Sequence, residues 1–240
     1  AMDKVATKKR FIEAGLQVPN YVAVTEFQEL SEIQHEVMRF GLPVVLKPTR
    51  NGSSIGISII KDITHLQVAL KKAFEFGYEV LIEKYIRGRE FTVGILDDKA
   101  LPIIEIKPAM EFFSYDAKYT DNRTEYLIVE KTAGAHDRRT ANSLREFGLL
   151  TSSLYAEAQE VALHAHRVLG CRGFSRVDML LDGKNKLYLL EVNTIPGFTE
   201  KSLLPKAAKA AGISFSSLCE KIVDLAFQRT LVTANESIQN

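Results

Sequence analysis

The chain has almost no excess charge of either sign. Its 240 residues carry 31 Lys and Arg against 30 Asp and Glu, a formal net charge of +1. Nothing in that balance points to a nucleic acid or a membrane surface as partner. No apolar run approaches the ~20 residues of a spanning helix, and no apolar core of signal-peptide type opens the sequence. Cysteine is scarce: Cys171 and Cys219 stand alone, in neither metal nor redox spacing, so a reduced, cytoplasmic setting is expected. Two nucleotide signatures are also missing. There is no GxxxxGK[ST], which excludes a P-loop, and no GxGxxG after a strand, which argues against a dinucleotide fold. Repeats and low-complexity segments are absent too. What remains, 46% hydrophobic and 25% charged, fits a globular protein of one or two domains.

The most informative stretch is Arg176 to Ser202, RVDMLLDGKNKLYLLEVNTIPGFTEKS. Asp182-Gly183-Lys184-Asn185 is turn chemistry between two apolar runs, which predicts a β-hairpin. A loop at 183–186 sets Asp178 opposite Glu191. Alternation then places Asn193 on the face of Glu191, and Arg176 on that of Asp178. Two carboxylates and an amide oxygen on one apolar surface suit Mg²⁺, which completes its octahedron with water and nucleotide phosphates. The plainer alternative is a pair of salt-bridged strand residues, and a slip of one residue in register splits the cluster. Beyond the hairpin, Gly197 permits close backbone approach and offers an N–H to an oxyanion. Ser202 is placed to cap a helix through Ala211.

Upstream, Asp3 caps a helix through Ala14, with Val5, Phe11 and Ile12 inward; Lys4, Lys8, Lys9 and Arg10 read as a solvated basic face. Helices are expected over Thr25–Phe40, Thr64–Phe76, Ser152–Leu169 and Ser214–Phe227, with the last dozen residues a frayed tail. The strand Val44–Lys47 runs into Asn51-Gly52-Ser53-Ser54-Ile55-Gly56, whose backbone N–H groups and hydroxyls suit a phosphate, with Lys47 as a point charge beside it. An ordinary hairpin turn is the competing reading. Val80–Tyr85 is a strand followed by Ile86-Arg87-Gly88-Arg89-Glu90; Glu83 and Glu90 there suit a hinge beside a nucleotide, or equally a hairpin with surface charges. From 108 to 121 the pattern stops in PAMEFFSYDAKYTD. Such aromatic-rich irregular loops act as lids, with Lys118-Tyr119 suited to closing over phosphate, or serve as anchored surface loops. The segment 131–147 reads as a surface excursion. His164 and His166, two apart on a helix, cannot share a metal.

Taken together, KPTRNGSSIG, EKYIRGREFTVGIL, SYDAKY, LGCRGFSRVDMLLD and EVNTIPGFTEKSLLPKAAKAAGISF resemble the D-alanine–D-alanine ligases of the ATP-grasp superfamily, in that family's order and almost end to end. The resemblance implies an α+β fold of two subdomains, a central one over 1–90 and a C-terminal one over 91–240 with a lid at 108–121, whose antiparallel sheets hold ATP between them. By matching position, Lys4 and Lys47 are phosphate-binding lysines. Glu83, Lys84, Tyr85 and Ile86 form the adenine hinge, and Glu90 is the ribose partner. Asp178, Glu191 and Asn193 hold two Mg²⁺ ions, with Mn²⁺ as a substitute. Arg176 and the Gly197 N–H are oxyanion donors. Ser202 and Leu203 receive the second D-alanine's carboxylate. Lys118 and Tyr119 close the lid, with Ser53 hydrogen-bonded to that tyrosine.

The implied reaction is ATP-dependent joining of two D-alanines for peptidoglycan precursors. One carboxylate is phosphorylated, and the acyl phosphate is then attacked by the second amine. Tyr119 resembles the dipeptide-forming members. The implied setting is cytoplasmic, with D-alanine as partner, no nucleic acid or membrane, and a homodimer in the full-length enzyme. The family's further N-terminal α/β domain is not among these residues, so the expectation is an ATP-binding fragment with little activity alone. Two alternatives stay open: another ATP-grasp carboxylate–amine ligase, and a non-catalytic nucleotide-binding module.

Overall fold

A computed structural model of the chain describes residues 3–50, 56–107, 124–132 and 148–238, with side chains through 228. It divides into two compact units: Ala1–Arg89 with Lys107–Glu125 and Leu180–Glu191, and Glu90–Ile106 with Tyr126–Met179 and Val192–Asn240.

The first unit opens with α1 (Lys4–Glu13), where Asp3 Oδ1 accepts from the Ala6 N–H at 2.9 Å as a helix cap. It continues through β1 (Tyr21–Thr25), α2 (Leu30–Phe40), β2 (Val44–Pro48), β3 (Ser58–Ile60), a 3₁₀ turn at Ile63–His65, α3 (Leu66–Phe74) and β4 (Glu79–Lys84). The four strands make an antiparallel sheet in the order β1-β4-β2-β3. One face, carrying Val44, Leu46, Val80 and Ile82, packs with Ile33 and Val37 of α2 and Leu66 and Leu70 of α3. Side chains alternate across a strand, so Lys47 and Glu83 belong to the opposite face.

Two helices here are shorter than periodicity suggested. Before α2, Gln28 Oε1 accepts from the Thr25 N–H at 2.9 Å and closes a turn. Before α3, Asp62 caps the 3₁₀ turn through Thr64. A larger correction concerns α1. Ile12 is 53% exposed, while Thr7, Lys8 and Phe11 are buried. These residues share one helical stripe, and the lysine within it disguised the face.

A further sheet has five strands in the order β11-β10-β5-β6-β7. They are β5 (Gly88–Leu96), β6 (Lys99–Lys107), β7 (Glu125–Ile128), β10 (Phe174–Asp182) and β11 (Leu187–Asn193). Asp97 and Asp98, both at positive φ, turn β5 into β6. Short β8 (Glu130–Thr132) and β9 (Leu149–Thr151) pair in parallel. The helices are α4 (Ser152–Val168), α5 (Leu203–Ala210) and α6 (Phe215–Ile238). Leu96, Leu101 and Ile104 pack with Leu204, Ala207 and Leu218. In place of a frayed tail, α6 runs on to Ile238, since no Gly or Pro interrupts it. Among the described residues, no helix is long and apolar enough to cross a membrane.

The hairpin forms as its turn residues predict. β10 ends at Asp182 and β11 begins at Leu187. Asp182 Oδ1 accepts from the N–H groups of Lys184 and Lys186 at 2.8 and 2.9 Å, and Asn185 adopts φ 61°. In β11 the burial alternation of Leu187 and Leu189 slips by one residue before Val192.

Candidate functional site

On the other face of the first sheet, Val45 of β2 pairs with Glu83 of β4. Lys47, two residues along β2, is therefore the diagonal neighbour of Glu83 on the same face. Lys47 Nζ lies 2.5 Å from Glu83 Oε2, and Lys8 Nζ of α1 lies 2.5 Å from Oε1. Glu83 is 2% exposed and Lys8 1%. Burial alone would push the Glu83 pKa up. Lys47 and Lys8 outweigh it and hold the carboxyl at about 2. Lys8 is pushed down by burial, against the pull of Glu83 and, more weakly, Glu191. Lys8 was missed as a site residue. The available signal was its place in the Thr7–Phe11 stripe, against which its charge argued.

The neighbouring linker is tied to the sheet. The Lys84 N–H donates to the Asn20 carbonyl at 2.8 Å, and the Tyr85 N–H to the Pro43 carbonyl at 3.1 Å. Lys84 Nζ donates to the carbonyls of Gly41 and Leu42 at 3.0 and 3.2 Å. Ile86 is half-buried. Lys4 sits at the start of α1, its N–H donating to the Thr49 carbonyl at 3.2 Å. Glu191 is half-buried on β11.

In the second unit, Arg176 and Asp178 are two apart on β10 and share a face. The guanidinium grips the carboxylate with both prongs, Nε to Oδ1 at 2.9 Å and Nη2 to Oδ2 at 2.7 Å. Thr92 of β5 adds a hydroxyl at 2.6 Å to Oδ1. Both Asp178 and Thr92 are buried. The salt-bridged reading of these strand residues is thus realised, and the ion pair sets the orientation of both groups. Glu90 lies near the start of β5 opposite Ile106, and Asn193 ends β11, half-buried.

The loop from Asn193 to Ser202 is pinned by Phe198, whose ring lies 6.4 Å from that of Phe174 and 5.5 Å from that of Phe215. Gly197 meets Ser202: a Cβ on Gly197 would lie 3.0 Å from Ser202 Oγ. Ser202 occupies the N-cap position of α5 without capping it. Instead its Oγ accepts from the Thr199 N–H at 3.1 Å and shares a hydrogen bond with Thr199 Oγ1 at 3.0 Å. The first-turn N–H groups of α5 therefore receive no bond from that side chain and suit an anion. Leu203 begins α5 and packs on the core. Ser53, Lys118 and Tyr119 lie outside the described residues.

Asp178, Glu191 and Asn193 offer oxygen only, the donor chemistry of Mg²⁺ or Mn²⁺ and not of a thiolate metal. Among the described residues there is no group of three or more His, Cys, Asp and Glu fit to hold a metal. A cation bound by these residues would need water and phosphate oxygens to complete its shell.

Comparison with known proteins gives a consistent picture. The family model described as "D-ala D-ala ligase C-terminus" matches residues 11–224. The chain is 41% identical over 231 residues to the D-alanine–D-alanine ligase of Trichlorobacter lovleyi, covering 96% of this chain and 67% of that protein. The crystal structure of D-alanine–D-alanine ligase from Bacillus anthracis superposes with a TM-score of 0.78 at 37% identity, covering 95% of this chain and 67% of that one. The structure of the Bacillus anthracis ligase complexed with ATP gives 0.75 at 33%, covering 95% and 66%. The chain thus spans about two thirds of the length of these relatives.

Proposed function

The chain belongs to the D-alanine–D-alanine ligase family, with its α+β ATP-grasp fold, and on that premise we propose that it is the ATP-binding and C-terminal part of an enzyme that joins two D-alanines. The subdomains of the proposal are 1–90 and 91–240, with a lid at 108–121. The observation that carries the reading furthest is the Gly197–Ser202 turn at the start of α5, in the same unit as the Arg176–Asp178 pair. Acyl transfer needs donors aimed at a developing oxyanion and a seat for the incoming amino acid's carboxylate. A guanidinium, a glycine N–H and a helix start supply these.

In the proposed reaction the γ-phosphoryl of ATP passes to the carboxylate of the first D-alanine, releasing ADP. The amine of the second attacks the acyl carbon, the tetrahedral adduct expels phosphate, and the amine gives up a proton. Phosphoryl transfer demands positioning and charge neutralisation, which Lys4 and Lys47 provide. Residues 83–86 border the adenine, and Glu90 takes the ribose. Asp178, Glu191 and Asn193 hold Mg²⁺, which when bound neutralises phosphate charge. Arg176 and the Gly197 N–H receive the oxyanion, and Ser202 with Leu203 receive the second carboxylate. Ser53, Lys118 and Tyr119 are assigned by resemblance alone. The proposed setting is the cytoplasm, with the whole enzyme a homodimer.

Titration calorimetry tests the nucleotide half. The chain is expected to bind ATP in the presence of Mg²⁺, and Asp178→Ala with Glu191→Ala to abolish the metal-dependent part. Unchanged affinity removes the metal assignment. Phosphate release screened across D- and L-amino acids tests the chemistry once the family's first domain is supplied: D-alanine should lead, and residues 1–240 alone should turn over little. Robust D-alanyl-D-alanine synthesis by 1–240 alone contradicts the second expectation.

A further inference from the structure

The mechanism above gives Lys8 no part, although it is 1% exposed and in contact with Glu83. A buried cation is retained only where something repays its desolvation. Methionine would fill similar space without that cost, so packing does not account for a lysine here. Counting charge does. Glu83 carries one negative charge and touches two ammonium groups, Lys8 Nζ at Oε1 and Lys47 Nζ at Oε2. Lys47 and Glu83 alone sum to zero, and a polyphosphate reaching Lys47 would meet a neutral pair. With Lys8 behind it, these three groups sum to one net positive charge. Lys8 is 1% exposed and Lys47 16%, so that charge is expressed at Lys47. Glu191, which also acts on Lys8 though more weakly than Glu83, is among the residues that would hold the cation in the proposed function.

We propose that Lys8 is a positioning residue of the nucleotide site: from inside the fold it balances Glu83, so that this carboxylate does not cancel the charge Lys47 offers to the phosphates of ATP. This rests on the ATP-binding reading above. It predicts that Lys8 matters to phosphate and not to the base. It also predicts that removing one charge of each sign restores what removing Lys8 alone destroys.

The test is calorimetric titration of residues 1–240 with ATP and with adenosine, on the wild type, Lys8→Met and the double variant Lys8→Met/Glu83→Gln, each checked for folding by circular dichroism. Lys8→Met should lose roughly tenfold in ATP affinity, the scale of one charge-assisted contact, with adenosine within about twofold of wild type. The double variant should regain the wild-type preference for ATP over adenosine. Should Lys8→Met fail to fold, the double variant decides: a preference within about twofold of wild type supports the proposal, and a tenfold loss overturns it. Equal losses of ATP and adenosine, or no loss of ATP, also overturn it. A wild-type chain that binds adenosine but gains nothing from phosphates overturns the role of Lys8 alone. One that binds neither ligand overturns the nucleotide reading and this proposal with it.

Discussion

Thr92 donates its hydroxyl to Asp178 Oδ1 at 2.6 Å between neighbouring strands of the second sheet, with both side chains buried. Arg176 holds the same carboxylate from its own strand. Asp178 is therefore fixed by two independent groups. Replacing Thr92 by Val keeps the shape and removes the donor, which is expected to cost about 1–3 kcal/mol for a buried bond to a charged group. Urea unfolding should show that loss, and Thr92→Ser should recover most of it. A Thr92→Val variant as stable as wild type contradicts the assignment.

Gly197 tests the loop before α5. A methyl group there meets Ser202 Oγ at 3.0 Å, tighter than a comfortable contact and aimed at the hydroxyl that binds Thr199. Gly197→Ala should leave overall stability within ~1 kcal/mol, as for a solvated loop position. It should depress ligation, measured as phosphate release once the first domain is supplied, by more than Pro205→Ala in the same region. Wild-type turnover in Gly197→Ala removes the close-approach argument.

Gly88 begins β5 where a Cβ would run into the carbonyl of Leu181. Backbone cannot swing aside as a side-chain tip can. Gly88→Ala should therefore be among the most damaging small substitutions in the chain, lowering the thermal midpoint clearly where Gly183→Ala, at a position open to solvent, does not. Equal midpoints for the two would show that the strands give way easily.

Two acidic-side windows follow from the pKa directions. Glu83 is held at about 2 against an ordinary 4.5. The unfolded chain takes up its proton first, so this contribution is complete above pH 4.5 and is lost as pH falls toward 2. The stability gap between wild type and Glu83→Gln, from urea midpoints, should close over that range.

His166 has the same sign. Burial pushes its pKa below the ordinary 6.5, opposed by the Asp98 charge, while its Nδ1 lies 2.7 Å from Ser175 Oγ. Its contribution is complete above pH 6.5 and declines below it. Wild type should lose more stability than His166→Gln between pH 6.5 and pH 5.5. Parallel slopes would show that His166 does not titrate differently on folding.

Much of the architecture was legible because it is encoded locally. The Asp182–Asn185 turn, the Asp3 cap and the Leu-rich stripe of α3 each depend on residues within a few positions of one another. The candidate site was legible through motifs in a fixed order, which located Lys47, Glu83, Arg176 and Asp178 without disclosing what each touches. Lys8 was misread because helical spacing says which residues share a face and not what that face meets. Likewise Ser202 holds the N-cap position, yet its hydroxyl turns back to Thr199.

By itself, then, the order of residues determined the family and the antiparallel α+β class and nominated the candidate site groups, since turn chemistry, periodicity and motif spacing are properties of neighbouring positions. Only the folded chain decided which charges meet. Lys8 is buried because β4 brings Glu83 beneath α1, and Asp178 is clamped because β5 brings Thr92 alongside β10. Those pairings join residues far apart in the chain, and their strength comes from the exclusion of water that tertiary packing creates.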